Sequence, residues 1–276
     1  MHSHISQLID THCHLDLIVQ PEFDVLLTAQ QISAVQHIIN DAANSDVSPL
    51  IMVGSSLPSS INSVACAHAY PTIFASIGLH PDDTKDSSWR DRFNELKKLL
   101  SNDAQKKIVA IGECGLDYYR EHNKAIQTDG FKAQIELALE HDLALVVHSR
   151  NAGDDTLRIL EPYVPNLRAT IHCYSYDAAF ATQAISWNFY LGLGGTITYP
   201  KNEALRQVAA SVPLTSIVLE TDAPFLPPQH MRGKPNHPAQ IKVIAQFLAN
   251  LRQQPLAQIA QHTTQNAKQL FKLGEK

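Results

Sequence analysis

Short runs rich in Val, Ile and Leu recur along the chain, at 7–12, 50–55, 72–79, 107–113, 143–148, 168–173, 188–195 and 216–221. Their hydrophobicity is nearly continuous, as expected of strands covered on both faces, and parallel sheets are covered on both faces. Longer segments of helical character separate them, at 22–37, 58–69, 88–101, 124–141, 153–161, 177–186, 203–210 and 238–251. Two further short helices are expected at 255–262 and 265–272. Within 124–141, Ile126, Phe131, Ile135, Leu137, Ala138 and Leu139 make a broad apolar stripe. Eight strands alternating with eight helices is the pattern of an α/β chain folded as a (β/α)8 TIM-type barrel, here a single domain over 1–276. The competing fold is a doubly wound open sheet. No GxGxxG follows the first strand, so its dinucleotide-binding form loses support. The stretch from Pro224 to Pro238 holds five prolines and reads as a long ordered loop after the last strand. Loops of that length in compact domains are often functional.

Composition narrows the classes without changing the fold. The chain has 276 residues, 44% hydrophobic and 18% charged, which rules out a disordered or collagen-like polymer. No apolar run approaches the ~18 residues of a membrane span, and the N-terminus lacks a basic region followed by an apolar one. A cytoplasmic protein without a membrane partner is expected. Cys13, Cys66, Cys114 and Cys173 are far apart and form no CxxC pair, so a disulfide framework is not expected. Net charge is −5, so an anionic substrate would need a local positive site. Oligomeric state is left open.

The 14 histidines are more informative through where they fall than through their number. Side chains alternate along a strand, so His12 and His14 project to one side of the first strand and can share a metal ion. Other strand ends carry His80, Glu113 with Asp117, His148, His172, and Glu220 with Asp222, so six of eight expected strands finish on His, Glu or Asp. In a barrel these ends gather at the C-terminal mouth, where buried charge is costly unless paired or metal-bound. His12, His14, Glu113, His148, His172 and Asp222 make six metal ligands. One tetrahedral ion uses about four, which points to two divalent ions, of Zn, Mn or Mg, with Glu113 able to bridge them. One ion with the remaining residues behind its ligands is the alternative. Arg150, Arg232 and Lys234 can meet phosphate oxygens, and Tyr118 and Tyr119 can stack on a base. Cys13 and Cys173 adjoin ligands and are expected to point away from them. His2, His4 and His122 are expected to carry no function.

In order, the motifs DTHCH, GLHP, IGECGLDYYR, VVHSR, IHC, LETDAP and RGKPN span residues 10 to 236. This set resembles the TatD family of metal-dependent hydrolases, deoxyribonuclease-like members of the amidohydrolase-type barrels. The resemblance implies a (β/α)8 fold, divalent metals and hydrolysis of DNA phosphodiester bonds by metal-activated water, read here as exonucleolytic. It also implies that Glu113 bridges the metals, that Asp222 is both ligand and proton shuttle, that Glu220 belongs to the active site, and that His80 suits a substrate phosphate. Tyr174-Ser175-Tyr176 stands where the family has Phe-Ser-Gly, His237 where it has Glu, and Cys114 where it commonly has Ile. Two other functions use the same constellation: hydrolysis of a small amide, lactone or ester, and metal-dependent binding without catalysis.

Overall fold

The computed structural model describes residues 7–119 and 123–274; His2, His4 and His122 lie outside the described residues. Eight strands form one parallel sheet in chain order: β1 (Leu8–Cys13), β2 (Val47–Val53), β3 (Ile73–Ile77), β4 (Ile108–Asp117), β5 (Ala144–Arg150), β6 (Ala169–Ile171), β7 (Tyr190–Leu193) and β8 (Ile217–Leu219). The sheet curls into a barrel with helices outside, the TIM-type architecture expected from the alternation. Every strand is buried along most of its length, which is why each reads as an unbroken apolar run.

The helices are α1 (Leu15–Val19), α2 (Ala29–Ala43), α3 (Leu57–Ala69), α4 (Trp89–Ser101), α5 (Lys124–Glu140), α6 (Gly153–Leu160), α7 (Ala178–Ser186), α8 (Glu203–Ser211), α9 (Ile241–Arg252) and α10 (Leu256–Phe271). Two expectations need correction. The helix expected at 22–37 is α2, which begins only at Ala29. Thr28 and Gln31 form a reciprocal cap there, and buried Val35, Ile38, Ile39 and Ala42 carry its apolar stripe to residue 43. Residues 20–28 are instead a loop with a short turn. The two short helices expected at the C-terminus are one, α10. Thr263 and Thr264 look like a break but are buried, and the Thr263 hydroxyl donates to the Ile259 carbonyl one turn back (2.9 Å).

The barrel closes between β1 and the segment after β8. The Asp222 amide donates to the His12 carbonyl (2.8 Å), and the His14 amide donates to the Ala223 carbonyl (2.7 Å). Thr11 donates its hydroxyl to the Leu219 carbonyl (3.0 Å). Asp10, fully buried, accepts from the His12 amide, the Thr221 amide (3.0 Å) and the Thr221 hydroxyl (2.6 Å). Burial pushes the Asp10 carboxyl up to about 8, even though these donors favour its charged form.

Asp10→Ala would leave three buried donors without an acceptor. Each such loss costs ~1–3 kcal/mol, so a destabilisation of at least about 3 kcal/mol is expected from chemical denaturation. Asp10→Asn, which keeps one acceptor oxygen, should lose less.

Candidate metal centre

The closure seam carries His12, His14 and Asp222 to the barrel mouth, and β4, β5 and β6 deliver Glu113, His148 and His172 to the same place. β4 runs past Glu113 to Asp117, so Glu113 sits within the strand rather than at its end. Gly115, at φ +147°, is essential to that course, because a Cβ there would lie 1.9 Å from the His148 carbonyl oxygen.

His12 Nε2 lies 3.1 Å from His14 Nε2, 3.6 Å from Glu113 Oε2 and 3.7 Å from Asp222 Oδ1. His14 Nε2 is 3.4 Å from Asp222 Oδ1 and 3.9 Å from Glu113 Oε2. The other Glu113 oxygen, Oε1, is 2.8 Å from His148 Nδ1 and 3.9 Å from His172 Nε2. The His12 and His172 rings stack at 3.5 Å. Most of these nitrogen–oxygen gaps are too long for hydrogen bonds. They suit neighbouring ligands of one ion, which lie ~3.3 Å apart around a tetrahedral centre with bonds of ~2.0–2.1 Å. Among the described residues, three sets of donor atoms are close enough to hold an ion: His12, His14 and Asp222; His12, Glu113 and His172; and His80, Asp117 and His148. The donor chemistry, mixed imidazole and carboxylate, fits a divalent metal.

Groups behind the ligands orient them. His14 Nδ1 lies 3.1 Å from the Val53 carbonyl. His148 Nε2 lies 3.4 Å from Asp117 Oδ2, and His172 Nδ1 lies 3.0 Å from Glu220 Oε1. Burial alone would lower both histidines, but Asp117 and Glu113 raise His148 to about 9, and Glu220 above all raises His172 to about 10. Burial works against charge on Glu113 as well, yet contacts with His12, His148 and His172 hold it well below the usual carboxylate range. His14, His172 and His12 keep Asp222 low in the same way. His80 is driven down to about 4 by burial and by the charge of His148. Its Nδ1 accepts the Asp82 amide (3.1 Å), so the neutral ring carries its proton on Nε2.

The centre opens into a cavity of about 710 Å³, lined by His14, His80, Glu113, His148, His172, Asp222 and Arg150 among others. Four expectations fare differently. Glu220 does not share the cavity with Asp222. It is buried under His172 and accepts the Cys173 amide (2.5 Å), because period-two alternation ends with β8 at Leu219 and Asp222 adopts φ +58°. Cys173, expected to point away, lines the cavity, since its own φ of +46° breaks the alternation; Cys13 does point into the core. Tyr118 lies outside the cavity, with its hydroxyl committed to Asp155 (2.8 Å) and Lys124 over its ring. Arg232 is exposed and also outside the cavity, over the Tyr199 ring. Arg150 stacks on exposed Tyr119 at 3.7 Å.

Three contributors carry no role in the sequence reading. Asp117, named with Glu113 at its strand end, lies two steps of period two further along the longer strand, which brings its side chain to the same face. Phe23, hidden inside a misplaced helix, and Phe225, next to LETDAP, both line the cavity.

A parallel barrel with such a cluster at the C-terminal ends of its strands has the layout of a metal-dependent enzyme, and the relatives of this chain make that class metal-dependent hydrolases. The chain belongs to the TatD-related DNase family, whose model matches residues 9–272. It is 34% identical over 269 residues to an uncharacterized metal-dependent hydrolase, YabD of Bacillus subtilis, covering 97% of this chain and all of that one. It is 30% identical over 259 residues to the 3′-5′ ssDNA/RNA exonuclease TatD of Citrobacter rodentium, covering 90% and 97%. The crystal structure of YjjV, a TatD homolog from Escherichia coli K12, superposes with a TM-score of 0.87 at 30% identity, covering 98% of this chain and 99% of that one. Among the described residues, no helix is long and apolar enough to cross a membrane.

Zn²⁺ or Mn²⁺ added to chelator-treated protein should raise the melting temperature. Saturation at a hundredfold excess over the dissociation constant corresponds to ~2.7 kcal/mol. His12→Ala should abolish most of the rise and lower the metal content found by elemental analysis.

Proposed function

We propose that the chain, 1–276, is one hydrolase domain that binds two divalent ions and cleaves DNA phosphodiester bonds from strand ends. The observation that carries this reading is the Glu113 carboxylate, whose Oε2 faces His12 and His14 while Oε1 faces His148 and His172. One carboxylate spanning two sets of ligands suits a pair of ions rather than one. The ligands would be His12, His14, Glu113, His148, His172 and Asp222. Bound divalent ions supply a lowered pKa for water and charge neutralisation at phosphate oxygens.

The chain's own residues account for the remaining chemistry. Asp222, held ionised beside three histidines and partly open to the cavity, accepts the proton from the attacking water. His80, neutral at pH 7, donates its Nε2 hydrogen to a phosphate oxygen, and Arg150 at the rim adds a fixed positive charge. Glu220 acts through His172, holding its ring rather than touching substrate. Arg232, on the surface, contributes to docking by charge alone, and Tyr118 lies too far into its own contacts to stack on a base at the centre. The DNA-directed reading also draws on the exonuclease name of the Citrobacter rodentium relative.

Purified protein should be assayed on single-stranded DNA, nucleotide esters and simple amides, with and without a chelator. Hydrolysis of DNA that a chelator abolishes and added metal restores is the expected result; turnover of amides alone would move the chain to the small-molecule reading. Asp222→Asn, assayed with its metal content matched to wild type, should lose ~10²–10⁴-fold in turnover with little change in DNA binding. Near wild-type turnover would remove Asp222 as proton acceptor.

A further inference from the structure

Few large apolar side chains are exposed among the described residues, and two of them stand together at the mouth of the cavity. Phe23, on the loop between α1 and α2, is 65% exposed, and Phe225, on the loop after β8, is 40% exposed. Their rings are nearly parallel, 12° apart in tilt with centroids 6.3 Å apart. Phe225 in turn meets His14 edge-on, with centroids 5.9 Å apart. Leaving two phenyl rings in water forgoes the stabilisation that burying them would bring, so a pair held open beside a catalytic centre points to a flat apolar partner. Arg150 and Lys85, both exposed, line the same cavity, and Tyr119 under the Arg150 guanidinium holds it in place. The mouth therefore offers aromatic faces together with positive charge, which is the chemistry of one nucleotide: a base with a π-face and an anionic phosphate.

Resting on the phosphodiesterase reading above, we infer that Phe23 and Phe225 form a stacking platform for the nucleobase at the end of a nucleic-acid strand. Phe225 touches the ring of His14, so a base seated there lies about one nucleotide from the metal centre. A base can reach these rings only when it is unpaired, so the platform selects single-stranded or frayed ends over duplex. It is indifferent to which base arrives, because every base has a π-face.

The test compares Phe23→Ala, Phe225→Ala and Phe23→Trp with wild type on two single-stranded oligonucleotides. One carries a normal terminal nucleotide and the other a terminal nucleotide without a base. Each alanine variant should raise KM for the normal end by about tenfold or more, in keeping with stacking of ~1–3 kcal/mol per base, with kcat little changed. The baseless end should bind as poorly to wild type as to the variants, and Phe23→Trp should restore binding of the normal end. A binding measurement independent of turnover uses terminal 2-aminopurine, whose fluorescence stacking should quench in wild type and not in the alanine variants. Equal losses on both oligonucleotides, or unchanged KM and quenching in both alanine variants, would overturn the platform. Quenching that depends on Phe23 in a protein that hydrolyses no oligonucleotide would overturn the phosphodiesterase reading and leave the platform standing.

Discussion

A buried carboxyl group, that of Asp10, takes the amide hydrogens of His12 and Thr221 and the hydroxyl of Thr221, tying the first strand to the segment that follows the last. Without that seam the sheet would have two free edges, each presenting unpaired amides and carbonyls. With it, the backbones at His12, His14 and Asp222 are fixed to one another by two short main-chain hydrogen bonds. The same bonds that close the barrel thereby set the spacing of three side chains able to hold a metal ion. Stability and chemistry share one set of contacts at this point, so a change in the seam is felt by both.

Around the centre, charge is balanced by pairing at short range rather than by exposure to water. Glu113, Asp117, Glu220 and Asp222 interleave with His12, His14, His148 and His172, all largely buried. Carboxylates in such a setting would ordinarily gain protons, and imidazoles would lose them. Mutual contact reverses both tendencies for Glu113, Asp222, His148 and His172. A divalent ion bound in this cluster would take the place of histidine protons, and these side chains would need little rearrangement to hold it. His12 and His80 go the other way: burial and a neighbouring histidine lower both, and neutral His80, facing His148, is suited to donate one hydrogen bond.

All eight strands were legible because each is covered on both faces, so burial leaves a continuous apolar signature. The cluster was legible because barrel strands deliver their C-terminal ends to one mouth, which brings scattered His, Glu and Asp together. What alternation could not supply lies where the backbone leaves the strand. Cys173 and Asp222, both at positive φ, turn side chains in directions that period two does not describe. The loop bearing Phe23 was misplaced for a related reason: its apolar residues mimic a helical stripe, and only the Thr28 and Gln31 cap marks where the helix begins. Arg232 and Tyr118 show the converse limit. Their types suit phosphate and base, but type alone does not say that Tyr118 is held by Asp155 and that Arg232 lies over Tyr199.

The seam also has a consequence in time. His12 and His14 belong to the first strand and its end and Asp222 follows the last strand, while Thr11 and Leu219 meet across 208 positions of sequence. Contacts that distant are slow to form, because the entropy of closing so long a loop must be lost before the contacts offset it. A growing chain carries two lone histidines on an unpaired edge strand until its final strand arrives. The full cluster of His, Glu and Asp side chains at the mouth therefore comes together only with the finished barrel.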